Sequence, residues 1–312
     1  MKISYCGDVE AAAKLWRTCF PEDSPVFVQF YMNQVHKEQD ALMLYGAEGD
    51  PRSYLGMVPY EMTVRGKRLS CSYLSGVCTL PPFRGRGYMT CIMERALAEM
   101  YRRGDVFSIL IPASPALYLK FGFVDCFYLG QRPLPFGAGK GELWRQPKYE
   151  ELNEWYETAC NRHFDHYLHR SEDQWRIILE EHIQFERGEI WKNSGAYALV
   201  SRSPEKILVK ECMGEEQAVQ DLLCQMGEGV MLTPDSQKPF AQARVVNARK
   251  AMELLEDCTL AVKDPWIAEN NGSFSVRCGK VTKKEKGGEP VSIRELTAMV
   301  MRGHNYMNLM LN

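Results

Sequence analysis

The sequence predicts a mixed α/β fold that is divided into more than one compact unit. Helical and strand patterns alternate along the first third of the chain, which favours helices packed on a mixed sheet. The chain has 312 residues, more than a single hydrophobic core usually serves, so two or three domains are expected. Its hydrophobic share of 45% and charged share of 25% are ordinary for globular proteins and exclude a disordered chain.

The first third of the chain predicts the elements of that sheet. Apolar residues recur at helical spacing in several segments, and the longest of these ends at Gly104. Apolar runs and alternating patterns between them predict strands. The predicted helices are residues 9–19, 24–35, 87–103 and, shorter, 114–120, and the predicted strands are residues 41–46, 53–64, 67–80, 106–111 and 122–128.

Two segments rich in proline, glycine and polar residues predict domain boundaries, at residues 133–141 and 233–239. Helices are predicted between and after them at residues 147–163, 171–185, 215–226, 247–255 and 292–301. Strands are predicted there at residues 194–200, 206–211, 258–262, 272–277 and near 281. We therefore predict domains at residues 1–132, 146–238 and 239–312, with residues 133–145 as a linker.

Charge and composition exclude several classes of function. The net charge of −2 produces no overall field that would attract nucleic acid or an anionic membrane. No segment resembles a signal sequence or approaches the roughly 20 apolar residues of a membrane span. The eleven cysteines form no CxxC pair, which argues against a metal site or a disulfide framework. We expect a cytoplasmic protein that binds neither metal, nucleic acid nor membrane.

Three histidines, His163, His166 and His169, are spaced three residues apart and would share one face of a helix. A metal site is one interpretation of this spacing. The surrounding segment is rich in charged residues, so a solvated helix face or the wall of an acceptor pocket is favoured instead.

The segment from Tyr73 to Arg103 joins an apolar strand to an amphipathic helix through a glycine-containing turn. Pro81 and Pro82 cannot continue a central strand, and the run Arg84-Gly85-Arg86-Gly87 stands directly before the helix. The glycines let backbone N–H groups approach phosphates, and the arginines can add charge-assisted contacts. Such a strand, turn and helix start is typical of a diphosphate site and suits coenzyme A. The alternative is an exposed basic turn without a ligand.

The residues of this turn resemble a motif of the GNAT superfamily of N-acetyltransferases. The run VCTLPPFRGRGYMTCIMERAL resembles its donor-binding motif, Arg/Gln-x-x-Gly-x-Gly/Ala, in which Arg84 and Gly87 match and Met89 replaces the last small residue. The run ALYLKFGF, residues 116–123, is similar to the family's second signature, a Tyr shortly before Phe-Gly-Phe.

Later segments resemble one branch of that superfamily. The runs LAVKDPWIAENNGSFSV and VSIRELTAMVMRG are similar to a sterol-carrier-type module, as found in the enhanced intracellular survival (Eis) branch. The resemblance implies a GNAT fold, then a degenerate GNAT-like domain, then a small α+β sterol-carrier-like domain. Residues 146–240 contain no glycine-rich turn at a helix start, which agrees with a degenerate copy.

This resemblance implies acetyl-CoA as the cosubstrate and catalytic roles for two residues. The Tyr118 hydroxyl would act as general acid on the departing sulfur of coenzyme A. No Asp or Glu occurs from Leu69 to Met93, so the donor strand has no carboxylate base. In the Eis branch the C-terminal carboxylate takes that role, which here would be at Asn312. For Tyr118 the alternative is a packing role.

The resemblance also implies the residues that contact the donor. A backbone N–H at Val77 or Thr79 is expected to stabilise the oxyanion of the tetrahedral intermediate. Ala113 and Ser114 would touch the pantetheine arm, and for Ser114 a helix N-cap is an equal alternative. The complete predicted set is Val77, Cys78, Thr79, Arg84, Gly85, Arg86, Gly87, Tyr88, Met89, Ala113 and Ser114.

The sequence therefore predicts an N-acetyltransferase that moves acetyl from acetyl-CoA to a primary amine by direct attack. By resemblance, the acceptor is a small polyamine-like or aminoglycoside-like molecule or a protein lysine. The alternative is a protein that binds or senses acyl-CoA or lipid without turnover. The resemblance also implies that a homo-oligomer is one possible state of the protein, although no residue in the sequence specifies one.

Overall fold

The computed structural model describes residues 2–204 and 206–308. The chain forms two compact units, each built from two separate stretches of sequence. The first unit comprises Met1–Cys126 and Ala241–Arg302, and the second comprises Phe127–Phe240 and Gly303–Asn312.

The first stretch of the first unit alternates helices and strands as the sequence predicts. Asp8 caps the first helix by accepting a hydrogen bond from the N–H of Ala11 at 2.9 Å, and Ser24 caps the second. The elements are β1 Lys2–Tyr5, α1 Val9–Cys19, α2 Pro25–Gln34, β2 Ala41–Tyr45, β3 Pro51–Val64, β4 Lys67–Thr79, α3 Tyr88–Arg103, β5 Phe107–Leu110, α4 Ala116–Leu119 and β6 Val124–Tyr128.

The main stretch of the second unit again alternates helices and strands. Ser171 begins one of its helices with a capping box in which Gln174 bonds back to the Ser171 N–H. The elements are β7 Gly130–Pro133, β8 Glu142–Leu143, α5 Tyr149–His163, β9 His166–Leu168, α6 Glu172–Phe185, β10 Gly188–Lys192, β11 Ala196–Arg202, β12 Ile207–Gly214, α7 Glu216–Met226 and β13 Val230–Thr233.

The rest of the chain returns to the first unit and ends in the second. Its elements are β14 Pro239–Val245, α8 Ala248–Met252, β15 Cys258–Lys263, β16 Gly272–Arg277, β17 Lys280–Lys284, β18 Glu289–Ser292, α9 Ile293–Val300 and β19 Asn305–Tyr306. Strands β15 to β18 form a small sheet in the order β17-β16-β15-β18, with β15 and β18 parallel.

The main sheet of the first unit runs in the order β1-β2-β3-β4-β5-β14-β6. Strands β4 and β5 are parallel, and β14 lies antiparallel to β5, with Gln242 opposite Leu110 and Val245 opposite Phe107. A strand that follows the middle of the chain therefore completes the sheet begun by the first 128 residues.

The helix α3 anchors one face of this sheet. Its residues Ile92, Met93, Ala96, Leu97 and Met100 are fully buried, and they pack with Leu55, Leu74 and Leu110 of the sheet. Burying one such large side chain contributes about 1.5–3 kcal/mol, so this apolar stripe fixes the start of α3 relative to β4. Helix α1 packs on β3 and β4 as well.

The sheet of the second unit runs in the order β7-β13-β12-β11-β10-β8. Strands β12 and β13 are parallel, and β7 lies antiparallel to β13. Its order of helices and strands is similar to that of the first unit, with β9 inserted between α5 and α6. The mixed α/β class predicted from the sequence is confirmed, since both units combine parallel and antiparallel strands with flanking helices.

Several local predictions differ from the structure. Helix α5 ends at His163, and His166 lies in β9, so the prediction that three histidines share a helix face is wrong. The short run His166–Leu168 is buried and pairs in parallel with β19, which draws it out of the helix. Residues 133–145, predicted as a linker, include β8, which pairs with β10. The division into three domains stays a prediction.

None of the helices in residues 2–204 and 206–308 combines the length and apolarity that spanning a lipid bilayer requires.

Candidate donor site

Strand β4 separates from β5 partway along its length. The parallel pairing joins Cys71–Leu74 of β4 to Phe107–Leu110 of β5 and ends there, whereas β4 continues to Thr79 beside β3. A gap therefore opens at the β5-facing edge of β4. The N–H and C=O groups of such an edge can pair with an extended chain of amides.

A β-bulge lies where this gap begins. Gly56 is opposite Ser75 and Tyr54 is opposite Cys78, so β4 holds one more residue than β3 over this stretch. Gly76 in the bulge has a φ of 59°, and a β-carbon there would lie 2.3 Å from the Trp16 ring. Only glycine meets both conditions, and a bulge of this kind re-aims the neighbouring backbone groups.

The turn between β4 and α3 leaves the start of the helix open. Gly85 and Gly87 have φ values of 74° and 83°, and a β-carbon at either position would meet nothing within 4 Å. No side chain caps α3, and its first turn holds no acidic residue. The first N–H groups of the helix, with the positive end of its dipole, are thus available to an anion.

Positive charge surrounds the turn. Arg84 and Arg86 are exposed, and the Arg84 Nε donates a hydrogen bond to the Thr79 carbonyl at 3.1 Å. The predicted donor residues 77–79 and 84–89 belong to the end of β4, the turn and the start of α3, with Cys78 and Tyr88 buried among them. Met89 is half-buried and packs against the core below α3.

Arg52 of β3 also reaches the turn, although sequence reasoning missed it. Its guanidinium lies 4.3 Å from the centre of the Phe83 ring and donates to the Tyr88 hydroxyl at 2.6 Å. Tyr88 is buried, so its side chain stabilises the turn while its backbone N–H belongs to the helix start. Arg52 lies far from the turn in sequence, and no local pattern marks it.

Tyr118 lies on α4, directly after β5. It is 7% exposed, and its ring packs edge-on against Phe123 with 5.9 Å between centroids. Burial, with a smaller contribution from Cys78, raises the pKa of Tyr118 to about 12. No hydrogen bond joins its hydroxyl to any of residues 2–204 and 206–308. The hydroxyl stays protonated at neutral pH and can donate to a ligand.

Residues of the last stretch of the first unit hold the turn after Tyr118. The indole N–H of Trp266 donates to the Lys120 carbonyl at 2.8 Å, and the Trp266 ring lies 4.8 Å from that of Phe121. Arg244 is fully buried, donates to the Phe121 carbonyl and forms two hydrogen bonds of 2.7 and 2.8 Å with Asp264. Sequence reasoning missed both residues.

Cys19, at the end of α1, is a fourth residue that sequence reasoning missed. The pKa of Cys19 is lowered to about 7, mainly by a hydrogen bond with Cys78 and also by Arg84, while burial opposes the shift. Burial raises the pKa of Cys78 well above its usual value. The thiolate is the nucleophilic form of cysteine, so the lowered pKa of Cys19 favours that form.

The remaining predicted site residues divide into two groups. Ala113 and Ser114 are exposed between β5 and α4, and the residue at the N-cap of α4 is Pro115 rather than Ser114. Asn312 lies outside the described residues. Within residues 2–204 and 206–308, no group of three or more His, Cys, Asp and Glu side chains could hold a metal ion.

Two family models match the sequence. Residues 5–124 match the acetyltransferase (GNAT) domain, and residues 242–311 match the sterol carrier protein domain. No curated protein matches the sequence.

Solved structures share the fold of nearly the whole chain. A GCN5-related N-acetyltransferase from Anabaena variabilis is 18% identical, with a TM-score of 0.82 over 96% of this chain and 90% of that chain. Eis1 from Mycobacterium abscessus is 15% identical, with a TM-score of 0.78 over 96% and 90%. N-myristoyltransferase from Saccharomyces cerevisiae with bound myristoyl-CoA is 8% identical, with a TM-score of 0.51 over 77% and 82%. At these identities the likeness shows the fold.

Proposed function

We propose that this chain, whose residues 5–124 match the acetyltransferase (GNAT) domain and whose residues 242–311 match the sterol carrier protein domain, transfers acetyl from acetyl-CoA to a primary amine. The resemblance predicted from the sequence is confirmed, since family models match the first and last domains and Eis1 shares the fold. The observation that carries the proposal is the splay of β4 from β5 directly before an uncapped glycine turn.

The proposed donor contacts follow from that geometry. The edge of β4 at Val77 and Thr79, with Cys78 between them, would pair with the pantetheine amides; the Thr79 carbonyl already accepts from Arg84, so Thr79 would contribute its N–H. The N–H groups from Gly85 to Met89 would meet the diphosphate, and Arg84 and Arg86 would add charge. Ala113 and Ser114, which follow β5, would contact the pantetheine arm. An acyl-CoA is the class of donor that the GNAT fold implies, and the yeast neighbour holds myristoyl-CoA. Acetyl as the transferred group is part of the proposal.

The proposed reaction is a direct attack on the thioester. The neutral amine nitrogen attacks the carbonyl carbon and forms a C–N bond, while an N–H of Val77 or Thr79 stabilises the oxyanion. Collapse of the tetrahedral intermediate breaks the C–S bond, and the Tyr118 hydroxyl donates toward the departing sulfur. The amine proton leaves to the base, and the departing thiolate takes a proton from the protonated base or from solvent, so the products are an amide and the free coenzyme A thiol.

The raised pKa of Tyr118 refines its proposed role. A thiol titrates near about 8.5, well below the pKa of about 12 that burial produces for Tyr118. Complete transfer of the phenolic proton to the thiolate would therefore be uphill. We propose that Tyr118 acts mainly through a hydrogen bond that strengthens as negative charge develops on sulfur, which is how an acid of high pKa stabilises a transition state.

The C-terminal carboxylate of Asn312 is the proposed base. Between Leu69 and Met93 the chain has no carboxylate, so the donor strand itself supplies none. Adding a few residues after Asn312 would move the carboxylate away and is expected to lower kcat strongly, while thermal protection by acetyl-CoA is retained. The same extension placed before Met1 is the control. An unimpaired enzyme with the C-terminal extension would remove the carboxylate from the mechanism.

Release of free thiol from acetyl-CoA, followed across a panel of polyamines, aminoglycosides and lysine peptides, tests the function. Tyr118→Phe is expected to lower kcat by about a hundredfold, the loss typical of one transition-state donor, while acetyl-CoA still raises Tm. Tyr101→Phe, on α3 of the same unit, is the matched control. Donor binding with no thiol released for any amine would instead favour an acyl-CoA or lipid-binding protein.

A further inference from the structure

The second unit repeats the strand splay of the first. Strand β12 pairs in parallel with β13 at Leu208 and Val209 and then continues to Gly214. A bulge again follows the last paired residue, because Val200 is opposite Val209 while Leu199 is opposite Glu211. The extra residue in β12 is Lys210. The second unit therefore has the same gap at the edge of β12 that the first unit has at the edge of β4.

The second unit has no turn with room for a phosphate between β12 and α7. In the first unit, residues 80–87 connect β4 to α3, whereas only Glu215 separates β12 from α7. Both Glu215 and Glu216 carry carboxylates at the start of α7, which oppose the approach of an anion to the helix N-terminus. A nucleotide or other diphosphate is thus disfavoured at this splay.

A cavity of about 370 Å³ opens at the splay, and it is formed by residues of the second unit alone. It is lined by the free part of β12, Glu211 to Gly214, and by one face of α7 with Val219 and Gln220. This volume is at the lower end of the range of small-ligand sites, about 300–1,000 Å³. Among residues 2–204 and 206–308, none forms a ladder with Glu211 to Gly214 on the β13 side, so an occupant would meet an open strand edge along one wall.

Groups of both charge signs line this cavity. Arg132 and His163 can donate to an anionic group, and Glu216 can accept from a cationic one. Asp235 and His304 also line it and face each other, with 3.4 Å between the His304 Nε2 and an Asp235 oxygen.

Two polar groups near the splay already have hydrogen-bond partners within the protein. The Glu211 carboxylate is buried and accepts two hydrogen bonds of 2.7 Å from Arg170, so it presents no free charge. The carbonyl of Lys210, in the bulge, accepts from the Asn308 side chain at 2.8 Å. The open edge of β12 therefore starts beyond the bulge.

We infer that this cavity binds a short peptide of two or three residues with free ends, whose backbone extends along the open edge of β12. A peptide backbone supplies the alternating N–H and C=O groups that an unpaired edge requires. Its terminal carboxylate suits Arg132 and its ammonium suits Glu216, because charge-assisted hydrogen bonds are the stronger ones. Pantetheine has the amides but not the charged ends.

Calorimetric titration of the full chain with trialanine, trialanine amide and pantetheine tests the inference. Trialanine is expected to bind most tightly, and Arg132→Met to weaken it by about tenfold or more, as losing a charged hydrogen bond does. Trialanine amide, without the carboxylate, is expected to bind Arg132→Met and the native chain equally. Arg145→Met, an exposed arginine of the same unit outside the cavity, is the matched control.

Gln220→Trp supplies a second, independent variant. Gln220 is exposed and lines the cavity, so the larger ring is expected to block all three ligands without lowering Tm. Protection by acetyl-CoA should be unchanged in Arg132→Met, which separates this site from the proposed donor site. Tighter binding of pantetheine, no binding of trialanine, or binding only after removal of residues 309–312 would each overturn the inference.

Discussion

Replacing Trp266 by phenylalanine tests how the last domain supports the proposed catalytic tyrosine. The indole N–H donates to the Lys120 carbonyl at 2.8 Å, and the ring packs on Phe121 at 4.8 Å. These two residues lie directly after the α4 helix that carries Tyr118. Trp266→Phe removes the N–H but keeps an aromatic ring, so the main loss is one hydrogen bond.

The size of the effect follows from that single bond. A neutral hydrogen bond contributes about 1 kcal/mol net, with a range of about 0.5–1.5 kcal/mol. Since about 1.4 kcal/mol corresponds to a tenfold change in rate, a loss felt entirely in the alignment of Tyr118 lowers kcat about fivefold. The affinity for acetyl-CoA should change little, because the backbone and indole N–H groups of Trp266 donate to Asp264 and Lys120 rather than to the donor turn.

Initial rates of thiol release, with acetyl-CoA protection measured in parallel, check this prediction. Trp191→Phe is the matched control, because its indole N–H donates to Glu189 at 2.7 Å in the second unit. In a Tyr118→Phe background, Trp266→Phe should have no further effect on kcat, as residues that act through one group are not additive. A fivefold loss that persists without the Tyr118 hydroxyl would refute the positioning role.

Two further predictions concern stability. Gly76→Ala is expected to lower the free energy of unfolding by roughly 2 kcal/mol or more, because its φ of 59° is unfavourable for alanine and its β-carbon would lie 2.3 Å from Trp16. Thermal melts of Gly76→Ala and Gly49→Ala are compared. Gly49 has a φ of 81° and open space around its β-carbon position, so Gly49→Ala reports the backbone strain without the clash. Burial and the charge of Glu186 raise the pKa of Glu181 from 4.5 to about 9, so the native state holds a proton that the unfolded state releases, and stability is lost as pH rises from 4.5 towards 9. At about 1.4 kcal/mol per pH unit, Glu181→Gln should therefore be more stable than the native chain by about 3 kcal/mol at pH 7 and by almost nothing near pH 4.5. Urea denaturation at both pH values checks this, with Glu180→Gln, a more exposed neighbour paired with Arg176, as the control. A difference in stability that does not vary with pH would contradict the prediction.

The parts of the donor site that could be predicted are those marked by neighbouring residues. The apolar stripe of α3, the prolines that end β4 and the glycines of the turn all act within one short segment. Helix periodicity and backbone freedom are local properties, so the sequence displays them directly. The boundaries of α3 follow from Gly87 and Gly104, which both adopt left-handed backbone at its ends.

The parts that could not be predicted depend on residues distant in sequence. The sequence predicts a domain boundary at residues 233–239 but not that the strand β14, which starts at Pro239, pairs with β5. Its partner strand lies more than a hundred residues earlier, and no local pattern reports such pairing. Arg52 beside Phe83 and Trp266 above Phe121 are long-range contacts of the same kind. The prediction that the three histidines share a helix face is wrong because the spacing of three continues past Phe164, whereas the helix ends at His163 and the chain becomes a strand at His166.

The placement of β14 connects the sterol carrier domain to the proposed chemistry. Strand β14 lies between β5 and β6, and Arg244 within it holds the Phe121 carbonyl through a fully buried side chain. Asp264 compensates the Arg244 charge and in turn accepts from Asn270 at 2.8 Å. A buried charge without its partner is costly, so these residues are mutually dependent. The last domain is therefore part of the framework that positions Tyr118. Its first strand, β14, completes the sheet, and the buried Arg244–Asp264 pair holds the Phe121 carbonyl directly after α4.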